Sequence, residues 1–283
     1  MNPRIKKLKE YGFDTGHNTY IIAELGINHG GDIDKAKRLI DSAAKTGVDA
    51  VKFQTYQTEK RAPRGNQAVF DILKECELPF EAFRALKDHT IKYKMDFVST
   101  PFDKESVEYL ESIECNIFKV ASFDIVNHKL LNEVAMTGKP VLVSVGMANH
   151  EEIEKAYSIL KKGTDRIALL HCISAYPTNE NDVNLACLYT LKDVFDCVIG
   201  YSDHTNNTIA SLYAVAAGAQ IIEKHFKIDE NMKCVDEAVS IDETQMKQMV
   251  SNVRKIERMI GSGEFGIREV EKDTSIFRRP TAL

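Results

Sequence analysis

Eight short apolar segments alternate with amphipathic helical segments along this chain of 283 residues. Most of the apolar segments are nearly continuous, which is typical of strands buried on both faces of a parallel sheet. The pattern therefore predicts an α/β protein. The predicted strands are Tyr20–Glu24, Ala50–Gln54, Asp96–Thr100, Ile117–Ala121, Val141–Val145, Ile167–Cys172, Val198–Ser202 and Gln220–His225.

Helical segments fill the intervals between these strands. Glycine suits a left-handed C-cap, and an Asp or Asn side chain accepts a hydrogen bond at an N-cap. We expect C-caps at Gly47, Gly138, Gly163 and Gly218, and N-caps at Asp32, Asp103, Asn149 and Asp242. The predicted helices are Ile33–Lys45, Phe80–Lys94, Lys104–Ser112, Lys129–Met136, Glu151–Lys161, Leu185–Val194, Thr208–Ala217 and Glu243–Ile260.

Eight β-α units in this length predict a single-domain (β/α)8 TIM barrel over residues 20–262. The alternative is a doubly wound open sheet. That fold usually has fewer strands and a glycine-rich first turn, and no GxGxxG motif follows the first predicted strand.

Three segments fall outside the eightfold pattern. Residues 1–19 are a polar N-terminal extension that we expect to form a plug or a hairpin under the barrel. Residues 55–79 form a long loop with Pro63 and Gly65, which is either a lid over an active site or a passive insertion. Residues 263–283 form a charged C-terminal tail.

Charge and cysteine usage exclude several classes of function. The formal net charge is -5 and the chain has no basic block, which argues against nucleic acid or an anionic membrane as the main partner. The six cysteines include no CxxC pair, so we expect reduced thiols and a cytoplasmic protein. The N-terminus lacks the apolar region of a signal peptide, and no apolar stretch is long enough to cross a bilayer.

Polar side chains stand at the carboxyl end of every predicted strand or in the loop after it. In a parallel barrel these positions meet at one face and carry the chemistry. A purely structural barrel would not bring buried charges together there, because an unpaired buried charge is costly. These residues are Glu24, Asn28, His29, Lys52, Gln54, Ser99, Thr100, Lys119, Ser122, Asp124, Ser144, His171, Ser174, Tyr176, Ser202, His204, Glu223 and His225.

His204 and His225 are the candidate metal ligands, since they end consecutive strands. Two imidazoles with water and substrate oxygens suit a labile divalent cation, and their spacing fits no structural zinc motif. The alternative is that each histidine is simply hydrogen-bonded. His171 is a weaker third candidate.

Lys52 and Lys119 end apolar strands, where a surface lysine is not expected. They indicate a site for a phosphate or carboxylate group, with structural ion pairs as the alternative. Glu24 and Asp124 are candidates for acid-base catalysis. Glu223 and its neighbour Lys224 are predicted to orient ligand side chains.

Seven segments together make the chain similar to the sialic acid synthase family, whose members make nine-carbon nonulosonic acids from phosphoenolpyruvate. The resemblance implies a (β/α)8 barrel and a divalent metal, usually manganese, with magnesium or cobalt as alternatives, at His204 and His225. The segments run from residue 21 to about residue 240: IIAELGINHGGDIDKAKRLIDSAAKTGVDAVKFQT, DFVSTPFD, FKVAS, GKPVLVSVGMA, HCISAYPT, IGYSDHT and IIEKHF.

The resemblance also implies roles for individual residues. Glu24 and Asp124 match carboxylates near the reacting carbons. The residues that match phosphoenolpyruvate ligands are Lys52, Thr100, Lys119 and Ser122, and those that match positions around the acceptor sugar are Gln54, Tyr176 and Asp236.

The chemistry implied by the resemblance is the condensation of phosphoenolpyruvate with an open-chain N-acetylated aminosugar, with release of phosphate by C–O cleavage. The acceptor is N-acetylmannosamine or a 6-deoxy diacetamido hexose. Phe123, Ser174 and the Asp236-Glu237 pair make the chain more similar to the pseudaminic and legionaminic acid synthases, which use the latter.

Family members are commonly homodimers with a small C-terminal antifreeze-like domain that supplies an arginine to the partner's acceptor site. Residues 263–283 stand where the linker to that domain would begin, so we expect the arginine to be missing or to come from another subunit. Two other functions remain open: another metal-dependent barrel aldolase or 3-deoxy sugar acid synthase, and a non-catalytic barrel that binds phosphoenolpyruvate.

Overall fold

Eight parallel strands close into a barrel in the computed structural model, which describes residues 3–62 and 65–279. Each strand pairs with the next, and the last pairs with the first. The predicted (β/α)8 barrel is confirmed, and the open sheet is wrong. The strands are β1 (Tyr20–Gly26), β2 (Ala50–Thr55), β3 (Asp96–Pro101), β4 (Ile117–Val120), β5 (Val141–Ser144), β6 (Ile167–His171), β7 (Val198–Asp203) and β8 (Ile221–His225).

Helices surround the barrel and follow the predicted segments. At the four predicted N-caps the Asp or Asn side chain accepts a hydrogen bond from a backbone N–H of the first turn, as expected. The helices are α1 (Pro3–Glu10), α2 (Ile33–Ala44), α3 (Thr58–Arg61), α4 (Gln67–Cys76), α5 (Phe80–Ile91), α6 (Lys104–Ser112), α7 (His128–Met136), α8 (His150–Leu160), α9 (Cys187–Val194), α10 (Ile209–Ala216) and α11 (Glu243–Ile260).

Successive residues of each strand face opposite sides of the barrel wall, and both sides are apolar over most of their length. Outward side chains such as Ile21 and Phe53 pack against the helices. Inward side chains such as Ile22 and Val98 fill the interior. This double burial explains the nearly continuous apolar segments of the sequence.

The N-terminal segment closes the amino-terminal end of the barrel. Leu8 of α1 and Phe13 belong to the interior cluster and are fully buried, and the Phe13 ring lies 5.5 Å from that of Tyr20. Full burial of side chains of this size contributes roughly 1.5–3 kcal/mol each. The segment therefore forms a helical plug instead of a hairpin. The division into an extension, a barrel over residues 20–262 and a tail stays a prediction.

The predicted cap at Gly163 is wrong. Gly47, Gly138 and Gly218 have positive φ angles of 81°, 64° and 100°, as expected, whereas Gly163 does not adopt this conformation. Its role is close packing, because an added Cβ would lie 1.8 Å from the carbonyl oxygen of Ala135.

The predicted loop over residues 55–79 contains two helices, α3 and α4. Of its two marked residues, Gly65 has a φ of 80°, and Pro63 lies outside the described residues. Helix α3 lies beside the active-site face of the barrel and carries Arg61 to the rim of the central cavity.

Candidate active site

A cavity opens at the carboxyl ends of the strands, where a barrel enzyme places its functional groups. Its volume is about 790 Å³ with the open space at its mouth, which is within the usual range for small-molecule sites. All eight strands, or the loops after them, contribute to it. The predicted site residues that line it are Glu24, Lys52, Gln54, Thr100, Lys119, Ser122, Ser144, Tyr176, Ser202, His204, Glu223, His225 and Asp236.

Lys52 is a buried, paired cation. Its Nζ lies 2.9 Å from Oε2 of Glu24 and 3.8 Å from Oε2 of Glu223, and it donates a hydrogen bond of 3.3 Å to Thr100. Burial lowers the pKa of Lys52, but Glu223 and Glu24 outweigh burial and raise it. Lys52 is therefore ion-paired, and its anion-binding role stays a prediction.

Lys119 is the other buried cation, and its environment differs. Its Nζ donates hydrogen bonds to Ser144 Oγ at 2.7 Å and to the Val120 carbonyl at 3.1 Å. Within residues 3–62 and 65–279, no carboxylate lies within 4 Å of it. Burial lowers the pKa of Lys119 more than the Glu223 carboxylate raises it, and the nearby charge of Lys52 lowers it further. An incoming anion would complete this site.

Glu223 lies between the two lysines. Its Oε1 accepts a hydrogen bond of 2.9 Å from Ser202. Burial raises the pKa of Glu223, but Lys119 and Lys52 outweigh burial and lower it to about 2. The carboxylate thus stays charged and pairs with Lys52, while its charge acts on Lys119 from beyond 4 Å.

His204 lines the cavity, and its Nε2 makes only a long contact of 3.5 Å with Ser202 Oγ. Its Nδ1 donates a hydrogen bond of 2.7 Å to the carbonyl of Ile173, which leaves the lone pair on Nε2. Burial, and next the charge of His225, lower the pKa of His204 to about 4. A neutral ring with its second nitrogen bonded to a carbonyl is the arrangement typical of a metal ligand.

His225 lies beside His204, with 5.6 Å between the ring centroids. Its Nδ1 is 3.3 Å from Oδ2 of Asp236, although the two do not align as a hydrogen bond. Burial lowers the pKa of His225, but Asp236 outweighs burial and raises it. Tyr176 covers the pair, with its ring 4.2 Å from that of His204 and 6.0 Å from that of His225.

The two histidines fit a cation site with few protein ligands. In the part of the chain that the structure describes, no group of three or more His, Cys, Asp or Glu side chains is arranged to hold a metal. A cation at His204 and His225 would therefore need water or substrate oxygens as its remaining ligands. Such a site suits a labile divalent ion and not structural zinc.

Gly26 allows three polar groups to meet at the mouth of the cavity. Gln54 Nε2 donates a hydrogen bond of 3.1 Å to Oε1 of Glu24. A Cβ on Gly26 would lie 3.2 Å from that oxygen and 3.2 Å from Oδ2 of Asp236. The absent side chain thus leaves room for both carboxylates.

Ser99 and Lys224 lie outside the cavity, because each neighbours an inward residue on its strand and faces the helices. Ser99 hydrogen-bonds Thr55 at 2.7 Å, and Lys224 pairs with Asp203 at 3.5 Å and donates to the Thr205 carbonyl. The substrate-binding prediction for Ser99 is corrected accordingly. On the helix side of the wall, Lys224 thus contacts both chain neighbours of His204 and stabilises that segment.

Three other predicted residues line no part of the cavity. Asn28 is buried, accepts a hydrogen bond from the backbone N–H of Asp236 and so positions that loop. Asp124 accepts a hydrogen bond of 3.2 Å from Asn127, and burial raises its pKa. Ser174 hydrogen-bonds Ser122 at 2.8 Å and so supports a lining residue.

The structure does not bring His29 and His171 to the other two histidines. His171 Nε2 donates a hydrogen bond of 2.8 Å to the Val183 carbonyl, on the helix side of the wall. His29 Nδ1 accepts from the backbone N–H of Gly31 at 3.1 Å, in a neighbouring pocket. The idea of a third histidine ligand is therefore dropped.

A model of the NeuB family matches residues 39–265, which is most of the chain. The chain belongs to the NeuB family. The sialic acid synthase resemblance inferred from the seven segments is thereby confirmed.

Named relatives of this NeuB family member are acid synthases. The chain is 39% identical to the N,N'-diacetyllegionaminic acid synthase of Campylobacter jejuni, over 92% of this chain and 83% of that protein. It is also 44% identical to an uncharacterized protein of Methanocaldococcus jannaschii, over 93% and 78% of the two chains. We conclude that the chain is an enzyme of the acid synthase class.

A solved structure of a related enzyme has the same fold as this chain. The N-acetylneuraminic acid synthetase of Leptospira borgpetersenii, solved with citrate, matches with a TM-score of 0.89 and 39% identity, over 92% of this chain and 91% of that one. Among the described residues, no helix has the length and apolar character of a membrane span.

Sequence reasoning missed Arg61 in this NeuB family chain. Its guanidinium carbon lies 3.9 Å from the ring centroid of Phe102 and 4.4 Å from that of Tyr56. The basic residues of the segment after β2 were visible, but nothing in the sequence shows which one turns toward the cavity. The other lining residues outside the predicted site set are Ile27, Phe102, Ala121 and Phe123.

Proposed function

We propose that this chain condenses phosphoenolpyruvate with an open-chain N-acetylated aminosugar to give a nonulosonic acid and inorganic phosphate. The observation that carries the proposal is the meeting of two buried lysines and two histidines in one cavity. An anion site and a cation site side by side suit a reaction between a phosphorylated enol and an aldehyde.

Lys119 is the main candidate for binding the phosphoenolpyruvate anion. It is buried and has no carboxylate partner among the described residues, so an anionic ligand would offset its desolvation. Hydroxyl donors surround the two lysines: Ser144 beside Lys119, Thr100 beside Lys52, and Ser202 at the side of the cavity. Such an array fixes phosphate and carboxylate oxygens.

The charges of the cavity favour a bound divalent cation, with manganese proposed and magnesium or cobalt as alternatives. Its lining has three basic side chains (Lys52, Arg61 and Lys119) and three carboxylates (Glu24, Glu223 and Asp236), which cancel formally. A highly charged anion would thus enter a site with no net positive charge. We propose that His204 and His225 hold the ion, which supplies this charge and polarises the aldehyde.

The proposed reaction balances without a redox partner. C3 of phosphoenolpyruvate attacks the aldehyde carbon, and the aldehyde oxygen takes up a proton. Water adds to the cation at C2 and releases a proton. The bond between C2 and the phosphate oxygen then breaks, the C2 hydroxyl becomes the keto group, and its proton leaves with the phosphate. Glu24 is the candidate to accept the proton that the attacking water releases, because it lines the cavity and Asp124 does not.

The lysine network would hold the reacting enol still. Glu223 fixes the Lys52 ammonium group from one side and Glu24 fixes it from the other. Because the ammonium group is already fixed, the protein would not need to reorganise as charge develops on the bound anion. This is the main advantage of a preorganised site.

Sequence identity does not distinguish between the two acceptor sugars, since the chain is 39% identical both to a diacetyllegionaminic acid synthase and to an N-acetylneuraminic acid synthetase. The aromatic surface at the cavity mouth favours the less polar of the two sugars. Phe123, 60% exposed, and Tyr176, 46% exposed, present aromatic surface there. We therefore propose a 6-deoxy diacetamido hexose as the preferred acceptor over N-acetylmannosamine.

The test is phosphate release by the purified chain with phosphoenolpyruvate, manganese and each sugar, with the product identified by mass. In water labelled with oxygen-18, the label should enter the nonulosonic acid and not the phosphate. Label in the phosphate would contradict C–O cleavage. Absence of sugar-dependent release from folded, metal-loaded protein would contradict the synthase function itself.

A further inference from the structure

Arg61 is a partly buried cation with no ion-pair partner within 4 Å among the described residues. It ends helix α3, and its guanidinium lies against the rings of Tyr56 and Phe102. Its Nη1 is inaccessible to solvent and makes no hydrogen bond. The side chain nevertheless lines the same cavity as the lysines and histidines.

The two rings restrain the position of the guanidinium. Cation–π contacts at such distances are favourable, and Tyr56 is itself fixed by donating a hydrogen bond of 2.9 Å to the Leu73 carbonyl on α4. A buried N–H donor without a partner is unfavourable. A rigid donor held in this state at the rim of a cavity is suited to receive a ligand oxygen.

The surroundings of Arg61 indicate the charge of that ligand. Burial lowers the pKa of Arg61, while the carboxylates of Asp236, Asp124 and Glu24 raise it. Arg61 thus lies in the field of three carboxylates, of which Asp236 and Glu24 line the cavity with it and Glu24 also pairs with Lys52 at 2.9 Å. Three carboxylates would repel a phosphate group, but they do not disfavour a neutral carbonyl or hydroxyl oxygen.

We infer that Arg61 is a specificity-determining residue that donates hydrogen bonds to a neutral oxygen of the acceptor sugar and so selects an unphosphorylated aminosugar. This inference rests on the proposed function and deepens it. The phosphoenolpyruvate anion binds at the lysines, so Arg61 acts on one substrate and leaves the other unaffected.

The first experiment compares wild type with Arg61→Ala, Arg61→Lys and Lys60→Ala. Lys60 is a matched control, because it lies on the same short helix but pairs with Glu105 on the surface at 2.6 Å. Phosphate release gives the KM for N-acetylmannosamine and for a 6-deoxy diacetamido hexose, and calorimetry gives the Kd for phosphoenolpyruvate.

We expect Arg61→Ala to raise the KM for the sugar at least tenfold while the Kd for phosphoenolpyruvate changes less than threefold. Arg61→Lys should recover only part of the loss, since an ammonium group lacks the flat set of donors by which a guanidinium can bond an oxygen while it contacts both rings. Lys60→Ala should behave like wild type. An unchanged sugar KM, or an equal rise in the Kd for phosphoenolpyruvate, would overturn the inference.

The second experiment tests the charge preference with N-acetylmannosamine and its 6-phosphate. Wild type should prefer the neutral sugar at least tenfold in kcat/KM. A preference for the phosphate that disappears in Arg61→Ala would show that Arg61 binds a phosphate and would overturn the inference.

The failure of this inference is distinguishable from failure of the proposed function. If wild type turns over the sugars and Arg61→Ala keeps its sugar KM, only the inference fails. If wild type shows no turnover, saturation-transfer NMR on protein loaded with magnesium and phosphoenolpyruvate detects sugar binding directly. Binding that Arg61→Ala removes supports the inference without the synthase function, and a lack of binding overturns both.

Discussion

Lys119 Nζ donates a hydrogen bond of 2.7 Å to Ser144 Oγ, and within the described ranges this buried ammonium group has no carboxylate partner. Lys52, in contrast, lies 2.9 Å from Glu24. The two lysines therefore line one cavity, but only the charge of Lys52 is offset by neighbouring carboxylates. One is held by the protein, and the other is left for a ligand.

Replacing the two lysines should have opposite effects on stability. Lys119→Met removes a desolvated cation, so we expect the metal-free protein to unfold at a higher temperature while phosphoenolpyruvate binding weakens at least tenfold. Lys52→Met leaves the charges of Glu24 and Glu223 without their ion pairs, which should cost about 3–5 kcal/mol. Thermal unfolding and calorimetry measure both effects. Destabilisation of Lys119→Met comparable to that of Lys52→Met would contradict this assignment.

His204 should make the stability of the metal-free protein depend on pH. Its pKa is about 4 in the folded state and 6.5 in the unfolded state, so the unfolded chain binds more protons between these values. The free energy of unfolding should therefore rise from pH 4 to pH 6.5, by about 3 kcal/mol from this residue. Urea unfolding across this range, in the presence of a chelator, measures the slope.

The variant His204→Asn provides the control for this pH dependence. It should lose a large part of the slope and retain the part due to His29, whose pKa burial likewise lowers to about 4. An unchanged slope in His204→Asn would show that the ring is not desolvated in solution.

Manganese affinity should rise with pH through His225. Asp236 outweighs the effect of burial and raises the pKa of His225 above 6.5, so at pH 6.5 most of these rings carry a proton that competes with a metal. Calorimetric titration should show affinity increasing up to tenfold per pH unit below that pKa and levelling above it. His225→Ala should abolish binding, and His171→Gln should not. Equal metal loss in both variants would count against the two-histidine site.

Gly26→Ala should impair catalysis more than folding. The φ of Gly26 is 51°, and the new Cβ would press on the carboxylates of Glu24 and Asp236. Gly30→Ala is the matched control, because its φ is 58° but a Cβ there meets nothing within 4 Å. Both should lose about 1–2 kcal/mol of stability from the left-handed backbone. Only Gly26→Ala should also lose kcat/KM, by about tenfold or more, and equal activity of the two would contradict a close-packed site.

The fold could be predicted because both faces of each strand are apolar and the helix caps are explicit. The same double burial hides which residues point inward. For this reason Thr100 and Ser99 looked equally suited to a substrate, although only Thr100 lines the cavity. The phase of a strand follows from its pairing with neighbours, and a nearly uniform apolar segment does not encode it.

Loop residues were harder to predict for a different reason. The roles of Asn28 and Arg61 depend on long-range contacts, with Phe226 for the first and Phe102 for the second. Such contacts form only after distant parts of the chain have come together. The strand-end histidines were found because the barrel geometry alone brings them side by side.

The plug formed by Leu8 and Phe13 has a kinetic consequence. Together with the inward side chains of the strands, these residues fill the amino-terminal part of the barrel, so the cavity opens at the carboxyl ends of the strands. The anion that binds at the buried lysines should thus bind before the sugar that binds at the cavity mouth. The nonulosonic acid should be released before phosphate. If the proposed function holds, we expect compulsory-order kinetics with phosphoenolpyruvate as the first substrate to bind.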